Sequence, residues 1–136
     1  MLNLQEAVMA NENVHTSTIE LGGGTGEVKI ADEVVAVIAG LAASEVKGLA
    51  SMAGNTTREL IEKIGVRSLA KGVKIAVEDG KVRVAINVNL RYGYNVPDTS
   101  SEIQEKVKTA IETMTGMEVT EVNIKIVNVV MDSEKV

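Results

Sequence analysis

The chain contains no cysteine, no phenylalanine and no tryptophan, and only one proline, one histidine and two tyrosines. Without cysteine there can be no disulfide, no thiolate metal site and no sulfur nucleophile, which fits a cytoplasmic protein. The lone histidine, His15, lies in a polar stretch with no second imidazole to share a metal. No catalytic, cofactor-binding or metal-ligating residue is therefore assigned, and the chain reads as a non-enzyme. Long apolar runs are missing too. The longest, VVAVIAGLAA at 34–43, falls well short of the roughly 20 residues a spanning helix needs. The start of the chain lacks the basic, then apolar pattern of a secretion signal. The expectation is a soluble protein that inserts in no membrane and associates with one only through a partner.

What remains is aliphatic. The 136 residues are 45% hydrophobic but 1% aromatic, so one domain with a core of Val, Ile, Leu and Ala is expected. The net charge is −5 and is unevenly spread. Residues 1–26 carry Glu6, Glu12 and Glu20 with no Lys or Arg, while the rest is nearly balanced. A balanced body lacks the basic footprint of a nucleic-acid binder.

Residues 1–26 read as a flexible acidic tail, polar and then glycine-rich, with little apolar surface to offset the entropy of ordering. The run Gly22-Gly23-Gly24-Thr25-Gly26 lacks the Gly-Lys-Ser/Thr ending of a phosphate loop and reads as a hinge. A single α+β domain is expected over 27–131, and residues 132–136 should fray. It opens with an extended EVKI and a helix over about 32–44, with Asp32 as a cap and apolar residues around much of its circumference. A short strand in EVKGLASM follows. Next comes a short helix in NTTRELIEKIG, where Thr56 and Glu59 have capping-box spacing.

The hairpin signal is strong. VKIAV and VRVAINVNL alternate apolar and polar on either side of Asp79-Gly80, a pair suited to a tight turn. Val73, Ile75, Val77, Val82, Val84, Ile86, Val88 and Leu90 form the inward set. A helix over about 98–114 carries the stripe Ile103, Val107, Ala110, Ile111 and Met114. Thr99 and Glu102 read as its capping box and Gly116 as its stop. A last strand spans VTEVNIKIVNVV, with Val122, Ile124 and Ile126 inward. It should run parallel to the second hairpin strand, since a helix connects the two. The architecture expected is a single mixed sheet of three to four strands with two long helices on one face.

Both tyrosines and the only proline fall in LRYGYNVPDTSSEIQEKV at 90–107. Alternation puts Tyr92 inward as the plug of a strand-to-helix corner and leaves Tyr94 free to turn outward beyond Gly93. The other sheet face, with Lys74, Ala76, Arg83, Ala85, Asn87, Asn89, Arg91, Asn123 and Lys125, has no ring on which a nucleic-acid base could stack. Its small and amide side chains suit another protein surface better.

RYGYNVPDTSSEIQEKVKTAIETMTGMEVTEVNIKI resembles the alkaline shock protein family, the envelope-stress proteins of Gram-positive bacteria. The likeness rests on an aromatic-Gly-x-Asn-aliphatic-Pro corner (Tyr92, Gly93, Asn95, Val96, Pro97) and on Gln104 and Val107 in the helix. Met114-Thr115-Gly116 at the helix end and Val119, Val122 and Asn123 in the last strand complete it. It departs from the family pattern at Thr99 and Ser100, where small or apolar residues are commoner. The resemblance implies a non-catalytic interaction protein of the envelope-stress response, forming homo-oligomers and docking to a membrane-integral relative. An accessory regulator of fatty-acid or lipid-synthesis enzymes is the alternative it leaves open, and a small nucleic-acid-binding module is the alternative outside the family. Tyr92, Gly93, Tyr94, Asn95, Pro97 and Gln104 are the candidate interaction loop. Lys74, Arg83, Asn87, Asn89, Arg91, Asn123 and Lys125 are the candidate open face.

Overall fold

The structure is a computed structural model that describes residues 16–19, 26–52 and 70–131. The short helix expected in NTTRELIEKIG, His15, most of the glycine run and residues 132–136 lie outside those residues. Eight elements occur in them: β1 (Thr16–Ile19), β2 (Val28–Ala31), α1 (Asp32–Ser44), β3 (Leu49–Met52), β4 (Val73–Glu78), β5 (Lys81–Arg91), α2 (Val96–Thr115) and β6 (Glu118–Val130). The fold is α+β, as the pattern of periods predicts.

β5 is the centre of the main sheet. β3 and β4 pair antiparallel with its two halves along one edge, and β6 pairs parallel along the other. The hairpin register sets Val73 opposite Ile86, Ile75 opposite Val84 and Val77 opposite Val82, the alternating set expected. Asp79 and Gly80 make the turn with φ of 53° and 74°, which two-residue hairpin turns require. The inward residues Val82, Val84, Ile86, Val88 and Leu90 are buried, and the first four share one core with residues of α1 and α2. α1 brings Val35, Ala36, Ala39, Ala42 and Ala43 to this core, and their small side chains let it approach α2 closely. Ile103, Val107 and Ile111 of α2 are fully buried.

Four expectations are corrected. Thr16–Ile19, read as part of the tail, form β1 and pair antiparallel with β2 in a second, two-stranded sheet. The cap of α1 is Ala31, not Asp32, and no side chain closes that helix end; the Asp32 carboxylate instead accepts a hydrogen bond from Ser17 Oγ at 3.3 Å. α2 starts at Val96, capped by Asn95, so Thr99 lies inside the helix and is buried. Met114 is 69% exposed. A spacing of four carries the stripe from Ile111 to Thr115, whose hydroxyl bonds the Ile111 carbonyl at 2.6 Å. The same oxygen accepts the Met117 N–H at 3.1 Å, and Gly116, at φ 75°, turns the chain into β6.

Candidate functional site

The corner between β5 and α2 is built from backbone requirements. The Arg91 N–H donates to the Gly48 carbonyl at 2.8 Å, and the Tyr92 N–H to the Val130 carbonyl at 2.9 Å. These bonds tie the end of β5 to the turn before β3 and to the end of β6. Gly93 then takes φ 96°, a conformation that L side chains rarely adopt. Asn95 Oδ1 accepts the Asp98 N–H at 2.9 Å, satisfying one of the free donors of the first helical turn. Pro97 sits in that turn, where its missing N–H has no intrahelical partner to lose.

The two rings are not placed as the alternation predicts. Tyr92 is 67% exposed and Tyr94 is 45% exposed, so Tyr92 does not plug the corner. The strand ends at Arg91, and the turn through Gly93 releases Tyr92 from the inward face. Tyr94 is the packed one of the two. A β-carbon on Gly48 would lie 3.0 Å from Tyr94 Cδ2, and 2.7 and 2.8 Å from Thr99 Cγ2 and Oγ1. Tyr94, Thr99 and Gly48 therefore meet closely, with Gly48 as the floor. Val96 is also exposed, as are Val129 and Met131 at the nearby end of β6. The corner is thus an exposed apolar patch centred on Tyr92.

The second candidate surface lies on the outward positions of β4, β5 and β6. Lys74, Arg83, Asn87, Asn123 and Lys125 are exposed, while Asn89 and Arg91 are partly buried. Asn89 Nδ2 donates to Ser51 Oγ at 2.9 Å across the β3–β5 pair. Sequence reasoning missed the acidic residues of this face. Glu121 pairs in register with Arg83, and Glu78 and Glu118 with Lys81, so opposite charges meet across the strands of this face. The outward alternation of each strand was the signal that could have found them.

Gln104 leaves the loop altogether. Its Nε2 donates to the Val122 carbonyl of β6 at 3.0 Å, beside a groove of about 280 Å³ between α2 and β6. Among the described residues no group of His, Cys, Asp or Glu could hold a metal ion, and no helix is long and apolar enough to cross a membrane.

Residues 20–131 match the alkaline shock protein 23 family, whose function is cell envelope-related. The chain belongs to this family. Protein YqhY of Bacillus subtilis (strain 168) is 36% identical over 109 residues, covering 80% of this chain and 81% of its own length. Spy1535 of Streptococcus pyogenes serotype M6 is 35% identical over 108 residues, covering 79% of this chain and 81% of its own. The stress response regulator gls24 homolog of Streptococcus pyogenes serotype M3 is 30% identical over 105 residues, which are 76% of this chain and 59% of that one. A solved MamM CTD variant overlays 71% of this chain and 94% of its own at 12% identity with a TM-score of 0.45. Within the family signature, Gly93, Asn95, Pro97, Gln104, Thr115 and Gly116 each hold a backbone conformation or a hydrogen bond in place. Tyr92 and Met114 stand largely in solvent.

Proposed function

We propose that this protein is a non-catalytic interaction protein of the cell-envelope stress response, working by self-association and by docking to a membrane-integral partner. The observation that carries this reading is the family match across 20–131, together with similarity to a stress response regulator. The physical support is the distribution of surface. A large exposed ring on a chain with only two tyrosines offers contact area at low entropic cost. Beside it stands a sheet face with small Ala76 and Ala85 among charges of both signs, exposed and uncovered by either helix. The loop of Tyr92, Tyr94 and Val96 is assigned to the docking contact, and its attachment to the membrane runs through the partner. The reading is tested by sedimentation of the purified chain and crosslinking in cells. Higher-order species and a crosslinked envelope protein are expected; a strict monomer without such a partner overturns it.

A further inference from the structure

Among the described residues β6 is paired on one side only, by β5. A strand with a free edge presents a row of backbone donors and acceptors that another strand can complete. Its register with β5 shifts at Val82/Arg83 and again at Val88/Asn89, and between these it runs regularly from Glu121 to Ile126. The Val122 carbonyl, bonded by Gln104 from the helix layer, faces away from β5. By strand alternation Ile124 and Ile126 also present N–H and C=O to the free edge. Glu121, Asn123 and Lys125 turn theirs toward β5 and stand exposed on the open face.

We infer that β6 pairs antiparallel with β6 of a second copy of this chain, about a two-fold axis at Asn123, joining two four-stranded sheets into one. This rests on the self-association proposed above and names its surface. Antiparallel partners must share orientation, so the axis passes through a residue. An axis at Ile124 sets Asn123 against Lys125, and one at Val122 sets Asn123 against Glu121. Axes at Glu121 or Lys125 oppose like charges. Only the axis at Asn123 places Glu121 of each copy opposite Lys125 of the other. These are non-hydrogen-bonded pairs, the class whose side chains come closest. In the same register Val122 lies opposite Ile124, so the two backbones exchange hydrogen bonds there. A lysine on a free edge ordinarily repels other strands. Here the acid that would receive it lies four residues upstream on an identical edge. No carboxylate among the described residues stands in ion-pair range of Lys125 in the single copy. Gln104 occupies the Val122 carbonyl until the partner strand displaces it, and so guards the edge.

The test uses the full chain in sedimentation velocity. Glu121→Lys and Lys125→Glu should each weaken self-association about tenfold, because two attractive pairs become repulsive. An equimolar mixture of the two variants should recover wild-type association, since each then supplies the charge the other needs. The gap should shrink at high salt. The absence of cysteine adds a second measurement that is independent of the charge changes. Asn123→Cys should oxidise to a disulfide-linked dimer, since opposed residues in such a pair lie about 4.5 Å apart between Cα atoms, within disulfide range. Ala76→Cys, on the opposite edge of the same face, should not. A wild type that assembles while both charge variants and Asn123→Cys behave like controls overturns the strand pairing and leaves self-association standing. A monomeric wild type removes both.

Discussion

β5 begins at the turn through Asp79 and Gly80 and ends at the corner from Tyr92 to Pro97. Both reverse or redirect the chain with left-handed residues: φ is 53° and 74° in the turn and 96° at Gly93 in the corner. The turn exposes only an acid and a glycine. The corner exposes two rings and Val96, and the end of β6 adds Val129 and Met131. A backbone account is complete for Asp79-Gly80 and nearly complete for Gly93, Asn95 and Pro97. It leaves Tyr92 over. Where two bends do similar geometric work and one also holds apolar surface in water, that surplus marks the candidate contact.

The largest effects expected in this comparison are at its two glycines. Apart from the glycine and its two chain neighbours, no atom lies within 4 Å of a β-carbon built on Gly80 or Gly93, so substitution meets backbone strain and no tertiary clash. Gly80→Ala and Gly93→Ala should each cost about 1–2 kcal/mol, read as the shift in a urea midpoint. A much larger loss at Gly93 would mean that the corner is a packed structure, and the contrast with the hairpin turn would fail. Next comes the cap. Asn95→Ala should cost about 1 kcal/mol, and Asn95→Asp should retain most of the stability because a carboxylate accepts the same Asp98 N–H. If Asn95→Ala is silent while Thr99→Ala is not by virtue of a lost cap, the helix starts later than Val96.

Much of this fold is legible in the sequence, and the places where it is not share a cause. The hairpin register follows from strict alternation around Asp79-Gly80, and the parallel β6 from a strand-helix-strand order. Each signal there has no competitor. At the start of α2 two caps compete, Asn95 and Thr99. A helix that starts at Val96 keeps Pro97 in its first turn, where the missing N–H is harmless, and this favours Asn95. Capping-box spacing points the other way, to Thr99 and Glu102, and the close contact that holds Thr99 inside the helix is with Gly48, far away in sequence. The inward reading of Tyr92 extended a period of two past the residue at which the strand stops. β1 escaped notice because Thr-Ser-Thr-Ile is too short and polar to announce itself without β2 beside it. The acids of the open face were missed for a simpler reason: β4 contributes Glu78 and β6 contributes Glu118 and Glu121, and they meet the bases of β5 only through the register.

The smallest expected stability effect separates the two tyrosines and carries the most about function. Tyr94 packs against Gly48 and Thr99, so Tyr94→Ala should cost on the order of 1 kcal/mol through lost contact at a half-exposed site. Tyr92 is 67% exposed and its N–H bond to Val130 is made by the backbone, which substitution leaves in place. Tyr92→Ala should therefore change stability by less than about 0.5 kcal/mol. The order is the reverse of the one that strand alternation predicts, so thermal melts of the two variants decide between them directly. With folding intact, Tyr92→Ala should still weaken capture of the envelope partner, because an exposed ring in a contact loses its area whether or not the domain needs it. Strand pairing through β6 should be untouched by the same substitution, since it lies on Glu121–Lys125 and not on the corner. A Tyr92→Ala protein that melts normally, self-associates normally and loses its partner would place docking and assembly on separate surfaces. One that keeps its partner would move the docking contact off the corner and onto the open sheet face.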